Sequence, residues 1–401
     1  MRHLYLHVPF CVKRCAYCDF TTYATPRGSA RMGEYVVALL RLLGEARECG
    51  LVDGLDTAYL GGGTPSYLGA EALGRLLAGV GELLGSGAEL SFEANPDSLA
   101  DDVLAEARSA GATRVSIGVQ SLDDAELALL GRVHTAAQAR ERVEAAVDSG
   151  LDVSADLMCA LPGQTDMVFG RSLEQLVGCG VGHVSVYPLM VEEGTPLAAR
   201  VDAGELDEPD EDDEADRMLQ AAAYLDARGF SRYEVASYAL PGKACRHNQA
   251  YWTGKSYLGL GTAAASMLSA GEYACLRAAA PSLPDLPPDG ARVRLTCASS
   301  PDEVGAASGL ADLAWDVEFL NAREAAAEDL MLGTRMSAGA AAAVVRRARE
   351  AIGAARVDAA IRDVVGRGLA MQGEDGALAP TARGWLLGNE LYGALWDLAR
   401  G

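Results

Sequence analysis

The sequence is poor in basic residues and has no long hydrophobic run, and both shortages exclude a class of protein. Its 34 lysines and arginines stand against 56 aspartates and glutamates, which gives a formal net charge of -22. Nucleic-acid binding depends on a basic surface, so we expect no nucleic-acid partner. Because no apolar run is long enough to cross a bilayer, we also expect no transmembrane segment and a cytoplasmic protein.

The cysteines do not look like a disulfide framework. There are nine of them, an odd number, and no signal-peptide pattern opens the sequence. Six are scattered along the chain, as buried thiols of a reducing compartment are. The other three, Cys11, Cys15 and Cys18, lie within eight residues of one another.

These three cysteines have the spacing C-x3-C-x2-C. Three thiolates can hold three irons of a [4Fe-4S] cluster and leave the fourth iron free to bind another molecule. Zinc is an alternative, with His7 as the fourth ligand of a closed tetrahedron. A chance group of thiols is the remaining interpretation.

Short apolar runs alternate with amphipathic stretches through the first half of the chain. The runs predict strands at 3-8, 57-61, 89-94, 114-119, 152-158 and 183-188, and the stretches predict helices near 31-49, 70-85, 98-110, 123-130, 136-149 and 168-179. Six repeats of strand and helix imply a parallel sheet with right-handed crossovers. The predicted fold class is α/β, a partial (β/α)6 TIM-like barrel.

Polar and glycine-rich segments follow five successive strands of this barrel. They are the cysteine loop, Gly61 to Pro65, Glu93 to Pro96, Gln120 with Ser121, and Asp156 before Ala160 to Gly163. In parallel barrels, chemistry gathers at the C-terminal ends of the strands, so these segments should share one rim. Glycine-rich turns expose backbone N-H groups, and the side chains of Glu, Gln and Asp can form hydrogen bonds with an amine and with ribose hydroxyls of a ligand.

The cysteine motif, with Tyr17 before its last cysteine, and the turn Gly61-Gly-Gly-Thr-Pro65 resemble the radical S-adenosylmethionine (SAM) superfamily. Its radical SAM core would carry a SAM-liganded [4Fe-4S] cluster on Cys11, Cys15 and Cys18. The resemblance also implies a set of SAM contacts: Tyr5, Tyr17, Gly62, Gly63, Thr64, Glu93, Gln120, Arg132 and Asp156. In such proteins, one electron from the cluster splits SAM into methionine and a 5'-deoxyadenosyl radical.

Further segments are similar to the oxygen-independent coproporphyrinogen III oxidase family. They are Tyr5 to Cys11, Gly118 to Ser121, Gly131 to His134 and Asp156 to Gln164. The family contains a decarboxylating oxidase and a haem chaperone. The oxidase has a long extension before the first cysteine and a fourth cysteine after C-x3-C-x2-C, whereas this chain has ten residues before Cys11 and continues with Asp19 and Phe20.

A downstream motif also favours the chaperone. His247-Asn-Gln-Ala-Tyr-Trp252 resembles the H-N-x-x-Y-W motif of the haem chaperones, so haem is the third expected cofactor. His247 would ligate the haem iron, Tyr251 and Trp252 would lie against the macrocycle, and Cys245 offers a thiolate alternative. One difference from the family is Ala265, where its pattern tends to have histidine.

The predicted function is therefore a haem chaperone that delivers haem to apo-haemoproteins, such as respiratory haem enzymes or bacterioferritin. The alternative is the oxidase of porphyrin biosynthesis, so enzymatic activity stays open, as does a radical SAM enzyme with a substrate outside tetrapyrrole metabolism. Peripheral membrane association and a homodimer are also left open.

Three regions are predicted along the chain. Residues 1-240 form the radical SAM core barrel, and 241-315 form a linker region with the H-N-x-x-Y-W motif and a turn-rich insertion at 281-290. Residues 316-401 form a small helical, winged-helix-like C-terminal domain. Within it we expect a short hairpin near Leu369 to Leu378 and a last helix from Thr381 onward.

Overall fold

The structure, a computed structural model that describes residues 1-400, is built on one nine-stranded sheet. Its first six strands are parallel and alternate with helices, as the sequence predicts. The strands are β1 His3–Val8, β2 Leu55–Gly62, β3 Leu84–Ala94, β4 Arg114–Gln120, β5 Asp152–Cys159 and β6 His183–Pro188. The helices of this part are α1 Ala30–Glu48, α2 Ala70–Gly81, α3 Asp101–Ser109, α4 Asp124–Leu129, α5 Ala136–Asp148 and α6 Asp166–Gly178.

Two helices and two short strands complete the barrel part of the chain. They are the helices α7 Pro196–Asp202 and α8 Glu211–Asp226 and the strands β7 Ser231–Arg232 and β8 Ser237–Ala239. Strand β8 pairs antiparallel with β6. The chain thus has the α/β fold that the sequence predicts, with a sheet that is parallel except at one edge.

Alternating side chains fix which face of each strand enters the core. In β1, Leu4, Leu6 and Val8 are fully buried in the main hydrophobic core, while Tyr5 and His7 lie on the opposite face of the strand. Because successive side chains of a strand point to opposite faces, the same strand supplies both core and site residues. Side-chain caps begin several helices; the Thr135 and Thr165 hydroxyls accept N-H groups at the starts of α5 and α6.

The region predicted as a linker contributes strands that the sequence analysis did not identify. After helix α9 Arg246–Trp252, strand β9 Leu258–Leu260 joins the main sheet in parallel with β1. Next come β10 Ala265–Ser269, α10 Ala270–Ala279, β11 Gly290–Cys297, α11 Pro301–Ala306 and β12 Trp315–Asn321. Strands β10, β11 and β12 form a separate antiparallel sheet.

The helical reading from Asp316 onward was wrong for its first residues. Trp315, Val317 and Phe319 alternate with polar residues and pack against the main core, so this stretch forms β12. The helix begins at Ala322, after Asn321, whose side chain accepts the N-H groups of Arg323 and Glu324.

The end of the chain is helical around a small hairpin. It comprises α12 Ala322–Gly333, α13 Ala342–Ile352, α14 Ala354–Gly366, β13 Ala370–Gln372, β14 Leu378–Pro380, α15 Ala382–Leu386 and α16 Gly388–Trp396. The predicted hairpin is present, and the predicted last helix is divided in two at Leu387. Buried residues between Ala327 and Leu398 form a hydrophobic cluster distinct from the barrel core. Within residues 1-400, no helix has the length and apolarity of a membrane span.

Candidate functional site

The cysteine loop lies between β1 and α1 and is held from several sides. Phe10 and Cys11 pair in parallel with Tyr23 and Ala24, which closes the loop at its base. The Ala16 amide donates to the Leu130 carbonyl at 2.9 Å, so the loop is tied to the end of α4. These bonds bring the loop to the C-terminal rim of the strands.

Eleven of the residues predicted to hold the cluster and SAM border one cavity of about 150 Å³ at this rim, which we call the cluster cavity. They are Cys11, Cys15, Tyr17, Cys18, Gly62, Gly63, Thr64, Glu93, Gln120, Arg132 and Asp156. Five separate strand ends contribute to this set, as expected from the barrel topology. Tyr5 and His247, the other two predicted site residues, do not border this cavity.

The glycine turn after β2 allows two close approaches. A Cβ at Gly62 would overlap the imidazole of His7, and a Cβ at Gly63 would lie 2.8 Å from the Phe10 backbone. Gly62 has a φ of 109°, in the region that favours glycine. Its N-H donates to Glu93 Oε2 at 2.9 Å, so the turn and the third strand end are joined.

Glu93 is a buried carboxyl group within reach of the cavity. Besides the Gly62 N-H, it accepts the Tyr59 hydroxyl at 3.0 Å on Oε1. Burial raises the pKa of Glu93 to about 7, against the effect of these two donors, and raises that of Asp156 to about 6. The cavity thus offers two hydrogen-bonding carboxyl groups whose protonation changes near neutral pH.

Arg132 connects the cysteine loop to two strand ends. Its Nη2 donates to Asn95 Oδ1 at 2.7 Å and to the Gly118 carbonyl at 2.6 Å. Its Nη1 lies 3.5 Å from Cys15 Sγ. Asn95 in turn donates to the Thr64 hydroxyl at 2.9 Å, which lies 3.4 Å from Cys11 Sγ. Asn95 stands in the segment 93-96 that the sequence analysis identified, but it was not among the predicted contacts.

Gln120 occupies a strained position at the end of β4. Its φ of 68° lies in the left-handed region that non-glycine residues rarely adopt. Strain of this kind persists where surrounding structure fixes it, and it is concentrated at ligand sites. Here it accompanies an irregularity in the pairing of β4 with β5 and turns Gln120 toward the cluster cavity.

The donor set fits an iron-sulfur cluster. Iron requires thiolates, and burial raises the pKa of the Cys11 thiol to about 11, so the positive charge of bound iron is needed to deprotonate it. The Thr64 hydroxyl lies beside Cys11, and the Arg132 guanidinium lies beside Cys15; both groups oppose the rise in the pKa of Cys11. Within residues 1-400, no group of three His, Cys, Asp or Glu side chains is placed to bind a single metal ion.

His7 does not have a free nitrogen for the zinc alternative. Its Nδ1 is 3.0 Å from the Tyr5 hydroxyl, and its Nε2 is 3.1 Å from the Thr21 carbonyl. Because a carbonyl only accepts, Nε2 carries the proton and Nδ1 accepts the Tyr5 O-H. His7 therefore links β1 to the loop that follows Cys18.

His247 lies in a second cavity, an interior chamber of about 240 Å³ inside the barrel. It is 1% exposed and stacks on Tyr59, with ring centroids 5.2 Å apart. Both nitrogens are hydrogen-bonded: Nδ1 is 2.8 Å from the Thr57 hydroxyl and Nε2 is 2.9 Å from the Tyr251 hydroxyl. Desolvation lowers its pKa to about 3, so it is neutral. As placed here, His247 has no nitrogen available to haem iron.

Cys245, the predicted thiolate alternative, is also turned inward. It is 3% exposed and its Sγ lies 3.4 Å from Glu89 Oε1. Burial, reinforced by that carboxylate, raises the pKa of the Cys245 thiol to about 12. It borders the interior chamber.

A third and larger space of about 540 Å³, the large cavity, lies between the barrel rim and α12. Aromatic side chains dominate its wall, and it also contains Met267, Arg294 and Ala265. The aromatic residues are Tyr5, Phe20, Tyr251, Trp252 and Tyr257. Tyr251 and Trp252 of the H-N-x-x-Y-W motif thus reach this cavity, although His247 does not.

Salt bridges hold α12 against β11 and so fix the far wall of the large cavity. Arg292 pairs with Glu328 and Asp329, each at 2.6 Å. Arg294 pairs with Glu318 at 2.9 Å and also with Glu328. The cavity depends on contacts between segments far apart in the sequence, which no local motif could have revealed.

One short segment separates the two outer cavities. Asp19, Phe20 and Thr21 follow the third cysteine directly and border the large cavity, and Phe20 also borders the cluster cavity. Phe20 is 65% exposed. In the sequence, Asp19 and Phe20 indicated only that a fourth cysteine is absent. The structure places them in the wall between two sites.

Six parallel strand and helix repeats, with three cysteines and a glycine turn at the rim, define the radical SAM class of protein. The model of the radical SAM superfamily matches residues 5-176. Among curated relatives, the heme chaperone HemW of Bacillus subtilis is 30% identical over 98% of this chain and 99% of its own length. HemW of Mycobacterium tuberculosis is 44% identical over 65% of this chain and 68% of its own.

Within that superfamily, the chain belongs to the family of the HemW proteins. The solved structure of HemN, the coproporphyrinogen III oxidase of Escherichia coli, matches with a TM-score of 0.74. It is 20% identical and covers 98% of this chain and 89% of HemN, so it supports the fold alone. Membership of the radical SAM superfamily implies SAM and a [4Fe-4S] cluster.

Proposed function

We propose that this protein is a haem chaperone: it binds haem in the large cavity, carries a SAM-liganded [4Fe-4S] cluster beside it, and delivers haem to apo-haemoproteins. One observation carries the proposal. The aromatic end of the H-N-x-x-Y-W motif borders a cavity of about 540 Å³ that touches the cluster cavity through Phe20. Similarity to HemW proteins along almost the whole chain supports it.

In this proposal, Cys11, Cys15 and Cys18 hold the cluster. When bound, the cluster supplies one electron to SAM. The chain itself positions SAM: the lack of side chains at Gly62 and Gly63 lets the turn pack against His7 and the Phe10 backbone at the edge of the cavity, and Glu93 and Asp156 accept hydrogen bonds from amine or hydroxyl groups.

Further contacts complete the proposed SAM site. Arg132 keeps a positive charge beside Cys15, and Gln120, Thr64 and Tyr17 close the walls. Tyr5 borders the large cavity and the interior chamber instead. Glu93 and Asp156 border both that chamber and the cluster cavity, so the proposed contact of Tyr5 with SAM would be made from the side of the chamber.

The large cavity suits a flat, largely apolar ligand with acidic groups. Its volume lies within the range of small-molecule and cofactor sites. Trp252 is held by an Nε1 bond to Glu234 at 3.0 Å, so its ring is fixed for stacking. Arg294 stands at the wall as a partner for a propionate. The propionate would share this guanidinium with Glu318 and Glu328.

Titration with haem under anaerobic conditions tests the proposal. Reconstituted protein should bind one haem per chain with a shifted Soret band, and apo-bacterioferritin added afterwards should acquire that haem. The same preparation, reduced and supplied with SAM and coproporphyrinogen III, should form no protoporphyrinogen. Porphyrin decarboxylation without haem binding would contradict the chaperone function and support the oxidase function instead.

A further inference from the structure

The large cavity contains a tyrosine whose hydroxyl is backed by a buried histidine. Tyr251 borders the cavity, and its hydroxyl is 2.9 Å from Nε2 of His247, which lies behind it in the interior chamber. The two residues are one helical turn apart on α9, so the helix itself fixes the pair. Any iron in the cavity would reach the tyrosine before the histidine.

We propose that Tyr251, through its phenolate oxygen, is the protein ligand to haem iron and that His247 is a positioning residue that accepts the phenol proton. The inference rests on the proposed haem-binding function and replaces His247 as the iron ligand. Tyrosinate is an established axial ligand of ferric haem in proteins.

A chain of hydrogen bonds leads away from this tyrosine. His247 Nδ1 is 2.8 Å from the Thr57 hydroxyl, which is 2.9 Å from His3 Nδ1. The Thr57 hydroxyl has one proton, so it can donate to only one imidazole and must accept from the other. If Tyr251 donates to His247, then His247 donates to Thr57 and Thr57 donates to His3.

Haem iron can bind Tyr251 with this order of hydrogen bonds and without a change in the oxidation state of the iron. The iron-oxygen bond forms as the phenol O-H bond breaks, and the electron pair of that bond stays on the oxygen. The proton passes to His247 Nε2, the Nδ1 proton of His247 passes to Thr57, and the Thr57 proton passes to His3. His247 ends neutral, with Nε2-H donating to the phenolate. Burial lowers the pKa of His3 to about 4, so His3 does not keep the proton at neutral pH and releases it to solvent beside the exposed Arg2 and Asp56 pair.

A second tyrosine and histidine pair in the same cavity lacks this continuation. The Tyr5 hydroxyl donates to His7 Nδ1, but His7 Nε2 already donates to the Thr21 carbonyl. A carbonyl has no proton to pass on, so the relay stops at His7 and a proton from Tyr5 would stay there, whereas the chain from His247 continues through Thr57 to His3.

Tyr257 also borders the cavity, but its ring packs edge-on against Tyr251 rather than against a histidine. Asp19 is exposed, and Glu328 is held by Arg292 and Arg294. The other wall residues have no group that binds iron, apart from Met267, which is a weak donor.

The experiment compares ferric-haem complexes of the wild type with Y251F, Y5F, H247A and Y224F. Tyr224 lies on α8, outside the cavities described here, with Arg228 over its ring, so Y224F is the matched control. Cluster content, measured on each variant, reports whether the fold is intact. Absorption and resonance Raman spectra detect tyrosinate bound to iron.

The wild type, Y5F and Y224F should show a tyrosinate-to-iron charge-transfer band, which Y251F should lose together with at least ten-fold in haem affinity. H247A should keep the band at a shifted position and release haem faster. A band that survives in Y251F, or that disappears in Y5F instead, would overturn the inference. A low-spin histidine spectrum abolished by H247A would also overturn it. Absence of haem binding in the wild type would contradict the proposed function itself.

Discussion

The cluster cavity and the large cavity adjoin one another but are built in opposite ways. The cluster cavity is formed by loops at five strand ends of one barrel, and backbone groups such as the Gly62 amide and the Gly118 carbonyl take part in its network. The large cavity is lined mainly by side chains from β1, α9, β10, β11 and α12, together with Asp19 to Thr21 from the loop after the third cysteine. A substitution in the cluster cavity should therefore remove a ligand site, whereas a substitution in the large cavity should only weaken ligand binding.

The largest expected effect separates the two cavities completely. Cys15→Ser removes one of three cluster ligands, and we expect loss of the iron-sulfur absorption and of SAM binding. Haem binding should remain, because no cysteine borders the large cavity as described in residues 1-400. Cys275→Ser changes an exposed thiol and is the control. Haem binding lost together with the cluster would mean that the cavities are not separable.

Arg132→Met tests the network that joins the strand ends. The substitution leaves Asn95 Oδ1 and the Gly118 carbonyl without their donor, which should cost about 2–4 kcal/mol of unfolding free energy. SAM affinity should fall at least ten-fold, measured by calorimetry on reconstituted protein. Arg142→Gln, at an arginine paired with the exposed Asp101, should cost less than about 1 kcal/mol. Equal losses in the two variants would contradict the assignment.

A change in the large cavity should leave SAM binding intact. Trp252→Leu removes an aromatic wall, and we expect haem affinity to fall by about three- to ten-fold, the scale of one stacking contact. Trp385→Leu, which changes an indole outside the three cavities described here, should have no effect on haem. If Trp252→Leu reduces SAM affinity as much as haem affinity, the comparison between the cavities fails.

The smallest effect concerns pH. The pKa of Glu93 rises from 4.5 to about 7 on folding because the carboxyl is buried, so the native state holds a proton that the unfolded state has lost. Stability of the apoprotein should therefore fall as pH rises from about 5 to about 7. Glu93→Gln should reduce that fall by about 1–2 kcal/mol, measured by denaturant unfolding at both pH values. Parallel pH profiles would exclude ionisation of Glu93 as the cause.

The cluster cavity was predictable because most of its predicted residues lie near or just after the end of a strand in an evenly repeating pattern. The motif residues Cys11 to Cys18, Gly62 and Glu93 therefore identified one rim without knowledge of any contact. Asn95 was missed because nothing in its local sequence reveals that it bonds to Arg132. The SAM contacts themselves and the boundaries at 240 and 315 stay predictions.

The large cavity was only half predictable. The H-N-x-x-Y-W motif pointed to the correct helix, but the direction of each side chain depends on the packing of α9 against β2. That packing turns His247 into the barrel and leaves Tyr251 at the cavity. Arg294 and Met267 lie on strands that had no signal beyond short alternation, so their place in the wall emerged from the fold alone.

The most direct measurement of the central claim is a competition between haem and SAM on anaerobically reconstituted protein. Haem binding is followed in the Soret region, and the cluster is followed by electron paramagnetic resonance with and without SAM. Two separate cavities predict that one molecule binds both, with haem affinity changed less than ten-fold by SAM and the cluster signal still perturbed by SAM when haem is bound. Displacement of SAM by haem, or of haem by SAM, would contradict the account.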